Sequence, residues 1–168
     1  MAPSSGGRPG ARPRVAERIA ERLRALEDRE AIRDLIARYG PLADSGDAAG
    51  VAALFAPDAV YAVGGMGEAK GRAAIAALID GPVHRALMAQ GCAHVLTSPA
   101  IDLHGDLAKA RCHSVVFARE GEGWRAVRVS ANLWELARSA QGWWVTRRDN
   151  RLLDGSEAAQ ALLDSRNP

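Results

Sequence analysis

Gly91 divides the chain into two kinds of sequence. Before it, apolar residues recur at three- and four-residue intervals among arginines and acids, the period of amphipathic helices. After it come four β-runs in succession: Ala93 to Leu103, Leu107 to Arg119, Trp124 to Arg138 and Trp143 to Leu152. The turns between them, His104-Gly105-Asp106, Gly121-Glu122-Gly123 and Ala140-Gln141-Gly142, each hold the glycine that hairpins favour. Helices first and a meander afterwards predict an α+β domain, with helices on one face of a curved, mostly antiparallel sheet.

The helical part opens with a long stripe, Val15, Ile19, Leu23, Leu26, Ile32, Leu35, Ile36, Tyr39 and Leu42, read as core-facing throughout. It predicts one helix, or two in line with a break near Glu27 to Arg29. Asp47 can cap a second short helix running to Phe55. A Pro57-Asp58 turn then leads into a strand from Ala59 to Val63, closed by a turn at Gly64, Gly65 and Gly67. Short helices follow at Gly71 to Ile79 and Val83 to Ala89, and Ser156 can cap a final one.

A chain of 168 residues suits one domain. Residues 1–14 lack apolar periodicity and are expected to form a disordered arm, leaving 15–168 as the folded unit. The net charge of +2 arises in that arm, where Arg8, Arg12 and Arg14 have no acidic neighbour. Without them 22 − 3 = 19 basic residues face 20 acidic ones. A near-neutral domain argues against a nucleic-acid surface. No apolar run is long enough for a membrane span. Cys92 and Cys112 lack zinc-site or disulfide spacing, which fits a reducing, cytoplasmic setting. No metal cluster or dinucleotide fingerprint is present, so no metal or cofactor is expected.

Two of the four histidines, His94 and His113, lie inside β-runs, while His84 lies in a helix and His104 in a turn. Alternation puts Cys92, His94 and Leu96 on one face of their strand. Asp44, at the end of the first helix, is a candidate partner for His94. A buried imidazole can take and return a proton near neutral pH, and a carboxylate on its far nitrogen fixes its tautomer. The alternative for Asp44 is a plain helix-end residue. Trp143 and Trp144 must point to opposite faces, so one can wall a cavity while the other meets a neighbouring subunit.

The stretch Tyr39-x-x-x-x-Asp44-x-x-Asp47, followed by Phe55-Ala-Pro-Asp and a strand, resembles the SnoaL-like branch of the nuclear transport factor 2-like superfamily. That resemblance implies a cone-shaped α+β barrel with its cavity between helices and sheet. The implied activities are dehydration, dehydrochlorination, isomerisation or cyclisation. It also implies His94 as acid and base with Asp44 as its orienting partner. Cys92-x-His94 is similar to the hexachlorocyclohexane dehydrochlorinases. Ser130-x-Asn132 and His113 are similar to cavity residues of scytalone dehydratase. Arg147 or Arg148 would supply a cation for a departing anion.

The reading is a cofactor-independent lyase or isomerase acting on a small apolar, aromatic, terpenoid or steroid-like substrate. Its catalytic residues are His94 and Asp44, and Tyr39, Cys92, His113, Asn132, Trp144 and Arg148 surround the substrate. A homo-oligomer, dimer or trimer, is expected. The alternatives are a non-catalytic binding module or an oligomeric accessory protein of the same fold.

Overall fold

The computed structural model describes residues 11–165. Helix α1 spans Ala11–Asp44 without a break, since nothing from Glu27 to Arg29 interrupts the backbone ladder. Those residues instead anchor the helix to the sheet. Asp28 accepts hydrogen bonds from Arg138 at 2.6 Å and from the indole of Trp143 at 3.1 Å. The helix begins at Ala11, so the expected arm loses its last four residues to α1; residues 1–10 lie outside the described residues.

The stripe on α1 does not behave as one face. Ile32, Leu35, Ile36, Tyr39 and Ala43 are buried against the sheet, whereas Val15, Ile19, Leu23 and Leu26 are 54–64% exposed. At about 100° per residue the second set is rotated roughly 140° from the first. The helix passes beyond the sheet before its core face begins.

Gly46, at φ 72°, ends α1 in the left-handed conformation. The amides of Gly46 and Asp47 reach back to the carbonyls of Ala43 and Leu42, so the last turn is satisfied. Asp47 then caps α2 (Ala48–Ala53), its carboxylate accepting from the Gly50 amide at 2.7 Å. Such a cap contributes about 1 kcal/mol.

Strand β1 (Phe55–Val63) starts earlier than expected. The Pro57-Asp58 turn survives inside it as an irregularity between Phe55 and Val60. The glycine turn leads into a short strand, β2 (Gly67–Lys70), that was not anticipated. Helices α3 (Gly71–Asp80) and α4 (Pro82–Gln90) follow as expected. The first β-run splits at Thr97-Ser98-Pro99 into β3 (Cys92–Leu96) and β4 (Ala100–His104), which pair with successive halves of β5 (Leu107–Glu120). Strands β6 (Gly123–Ser139) and β7 (Gly142–Leu152) complete the meander, and α5 (Glu157–Leu163) follows. Ser156 stands at the N-cap of α5, but its side chain makes no capping bond.

The sheet order is β2-β1-β7-β6-β5-β3, with β4 also on β5. Among the described strands only β1 and β7 pair in parallel. Register shifts at Val116/Phe117 and Glu135/Leu136 bend the long strands, as bulges do. The result is an open α+β cone whose concave side takes α1, α2 and α3 over a core of Ile32, Ile36, Phe55, Ile75, Trp134 and Val145. Each of these large side chains contributes on the order of 1.5–3 kcal/mol by leaving water.

Candidate functional site

Gly40 sets how close α1 can lie to the sheet. A Cβ at this position would collide with the carbonyl oxygen of His94, so only glycine lets the helix settle on β3. One turn later that approach brings Asp44 to His94. The Asp44 carboxylate accepts from the His94 amide at 2.8 Å through Oδ2 and from ring Nδ1 at 2.6 Å through Oδ1. An ionised carboxylate can only accept, so Nδ1 carries the proton and Nε2 keeps its lone pair. The placement gives α1 no help, because an anion in the last turn faces the negative end of the helix dipole, at a cost of about 0.3–1 kcal/mol.

His94 borders a cavity of about 280 Å³ under α3 and α4, lined also by Tyr39, Tyr61, Leu78, His84, Leu96 and Val116. Its side chain is 14% exposed. Burial lowers its pKa below the ordinary histidine value, against the opposing pull of Asp44. The imidazole is therefore held neutral and ready to accept a proton.

Arg148 also lines the cavity and is 2% exposed. Its guanidinium lies 4.0 Å from the ring centroids of Tyr39 and Trp134 and 4.6 Å from that of Tyr61. Nε and Nη2 donate to Oδ1 of Asn132 at 3.1 and 2.8 Å, and Asn132 donates in turn to Ser114. Nη1 is buried and has no hydrogen-bond partner, and no carboxylate pairs with Arg148 among the described residues. A buried donor left so costs about 1–3 kcal/mol. The cavity thus has a buried cation in its lining whose charge no carboxylate answers among the described residues.

The expected site residues divide accordingly. Asp44, His94, Tyr39, Asn132 and Arg148 come together, though Asn132 and Asp44 stand behind the wall and hold Arg148 and His94. Arg147 turns the other way, onto Asp149 and Glu68. Three residues require correction. His113 is exposed, because the inward phase of β5 belongs to Ala110, Cys112 and Ser114. Trp144 lies beneath Arg72 at 5.8 Å, outside the cavity lining. Neither Trp143 nor Trp144 walls the cavity; the buried indole behind Arg148 is Trp134. Cys92 faces the carboxylate and not the cavity, its thiol donating to Asp44 Oδ1 at 3.5 Å. Burial pushes that thiol up to about 11, with Asp44 adding to the effect, so it stays protonated near neutrality.

Among the lining residues that were missed are Tyr61 and His84. The Tyr61 hydroxyl lies 3.3 Å from that of Tyr39, and burial raises its pKa. His84 donates from Nε2 to the Ala43 carbonyl at 2.8 Å, and its ring is 5.3 Å from that of His94. Its signal was the spacing to Leu87 and Met88, which marks an inward face of α4. The ligand atoms of Asp44, Cys92 and His94 lie within 4.8 Å of one another. To hold an ion together, Asp44 and His94 would first have to open their 2.6 Å bond.

A family model described as a SnoaL-like domain matches residues 24–149. Among solved structures, an NTF2-like protein with a cystatin-like fold from Novosphingobium aromaticivorans is 60% identical with a TM-score of 0.85, covering 87% of this chain and 95% of that one. A protein of unknown function from Mycobacterium tuberculosis, solved with an aspartate-to-asparagine substitution, gives 25% and 0.66, covering 80% and 84%. Another Novosphingobium aromaticivorans protein, named as a suggested aromatic ring hydroxylase, gives 28% and 0.63, covering 76% and 90%. No curated protein matches the chain.

Proposed function

Because the chain belongs to the SnoaL-like domain family, we propose that it is a lyase or isomerase working by general acid-base chemistry on a small apolar cyclic substrate. The observation that carries this reading is the presence on the lining of one cavity of a neutral, carboxylate-oriented imidazole and a buried arginine lacking an anionic partner. In an elimination, Nε2 of His94 takes a proton from carbon, and the C–H pair becomes the new double bond. The leaving group departs with its own electron pair toward the Arg148 guanidinium. Asp44 stabilises the imidazolium formed on the way. In an isomerisation the same proton returns to another carbon, and Arg148 holds the negative oxygen between the two transfers.

The lining favours a compact substrate. Leu78, Ile79, Leu87, Leu96 and Val116 supply apolar wall, and a cavity of about 280 Å³ suits one or two rings. A panel of small cyclic compounds carrying a halide or hydroxyl β to an acidic C–H would test the proposal, read by halide release or by the absorbance of the conjugated product. Turnover by the native chain that disappears in His94→Ala supports it. Turnover that continues in His94→Ala refutes it.

A further inference from the structure

The described residues that line the cavity include two cations, Arg128 and Arg148, and no acid. Neither arginine has a carboxylate partner among the described residues, and Asp44, behind His94, is committed to that ring. Arg128 reaches the lining through a bulge. In the register of β5 with β6, Val116 stands beside Arg128 and Phe117 beside Ala126, so Val127 is an extra residue. Val127 and Arg128 both border the cavity, where strict alternation would have turned one of them away. Nη2 of Arg128 donates to the Gly64 carbonyl and to Oδ1 of Asn150, each at 2.9 Å. That fixes the amide, whose Nδ2 donates to Oδ1 of Asn132 at 3.0 Å and to Oγ of Ser114 at 3.5 Å. Ser114 also accepts from Asn132 at 2.9 Å. With both lone pairs of its hydroxyl engaged, Ser114 can serve a ligand only as a donor, and an arginine can never do otherwise. This part of the lining therefore matches an acceptor, and a negatively charged one.

We propose that the substrate is a cyclic carboxylate, apolar apart from that group, whose carboxylate binds at Arg128 and Ser114. This deepens the function proposed above and rests on it for the part played by His94. The Asn150 amide bonds both donors, Arg128 through Oδ1 and Ser114 through Nδ2, so the two neighbour one another. An anion with two oxygens suits them better than a phosphate, because much of what the arginines can donate is already engaged: Nη2 of Arg128 on Gly64 and Asn150, Nε and Nη2 of Arg148 on Asn132. The register also sets the span. His94 pairs with Val116 and Val116 with Arg128, so base and cation stand two strands apart in one row, about 10 Å at the backbone. A ring between them can present its carboxylate to Arg128 and its reacting C–H to His94. The carboxylate takes no part in the bond changes. It is a handle that positions the ring, and Arg148 is left for the charge that forms during the reaction.

Calorimetric titration of the full chain in mildly alkaline buffer tests this. The probes are benzoate, naphthoate and cyclohexanecarboxylate, each against its primary amide, which keeps the ring and loses the charge. The native chain should bind at least one carboxylate at least tenfold more tightly than its amide. Arg128→Gln, which retains a donor for the Gly64 carbonyl, should abolish that preference and leave amide affinity within about twofold, while Arg128→Lys should keep most of it. His94→Ala should bind the carboxylate as the native chain does, so a failure of the acid-base reading shows in turnover and a failure of this proposal shows in binding. Equal affinity for every carboxylate and its amide in the native chain would overturn the proposal, as would no binding of any probe at millimolar concentration. These two results need no variant and decide the matter even where Arg128→Gln does not fold. A preference that folded Arg128→Gln keeps in full would overturn the assignment to Arg128. Tighter binding of phenyl phosphate than of benzoate would make the ligand a phosphate ester and reject the carboxylate.

Discussion

Arg148 and Arg138 are both strand arginines lying over tryptophan rings, yet their surroundings are opposite. Arg138 sits 4.6 Å over Trp143 and is paired with Asp28 at 2.6 Å and Asp106 at 2.7 Å. Its charge is answered, Asp28 is held below the ordinary carboxylate range by it, and the network ties α1 to the sheet. Arg148 is more deeply buried, with a neutral amide, three aromatic rings and an empty-handed Nη1. A buried cation left without an anion works against stability. Its position makes sense if the missing negative charge arrives with, or forms on, a bound molecule. The same residue type thus ties helix to sheet at Arg138 and, in the function proposed above, meets the substrate's charge at Arg148.

The sharpest way to break this comparison is at the base that lines the same cavity as Arg148. His94→Ala should lower turnover by about 10²- to 10⁴-fold in a folded protein, and Asp44→Asn should lose much of it by releasing the tautomer. The comparison itself is tested by exchanging each arginine for methionine. Arg148→Met should cost about 10²- to 10³-fold in turnover, with a melting temperature unchanged or raised. Arg138→Met should keep turnover and lose about 1–2 kcal/mol of stability, because Asp28 is left without its strongest donor. If the two variants behave alike, the contrast drawn here is wrong.

Acid titration gives a smaller but directional effect. The folded pKa of His94 lies below the 6.5 of an ordinary histidine, so between the two values the unfolded chain binds more protons. Stability from this group is complete above about pH 6.5, falls as the pH drops below it, and levels off beneath the folded pKa. Native stability curves should show that slope and His94→Ala curves should not. Turnover should likewise persist below pH 6.5, and Asp44→Asn should shift its acid limb lower still by removing the group that favours the imidazolium. The smallest effect is expected from chelator dialysis, which should leave turnover unchanged; restoration of lost activity by one metal would reopen the Asp44, Cys92 and His94 cluster as a ligand set.

The long strands were legible because a hairpin glycine punctuates each turn, and the pairing of Asp44, the last residue of α1, with His94, inside β3, was within reach because the family resemblance joins the two. The phase of a strand was harder to read. In β5 the small residues Ala108, Ala110, Cys112 and Ser114 point inward, and the charged Lys109 nearby already marks the outer face on which His113 lies. In β7 the register shift between Glu135 and Leu136 places one extra residue between Val145 and Arg147. Counting from the tryptophans therefore could not decide between Arg147 and Arg148. Periodicity fixed α1 as a helix but not where its cover ends, which is a property of the sheet's width. Strand β2, four residues of Gly-Glu-Ala-Lys, has no apolar alternation at all and exists through its pairing with β1.

The double grip of Asp44 on His94 also bears on how activity returns during refolding. The two residues are 50 positions apart, and their bonds require α1 to be seated on β3 at Gly40. Helix α1 can form early because its contacts are local, whereas seating waits for the β3 and β5 pairing. Far-ultraviolet ellipticity should therefore recover ahead of turnover, and a stopped-flow assay would time the final docking of helix on sheet by the first appearance of product.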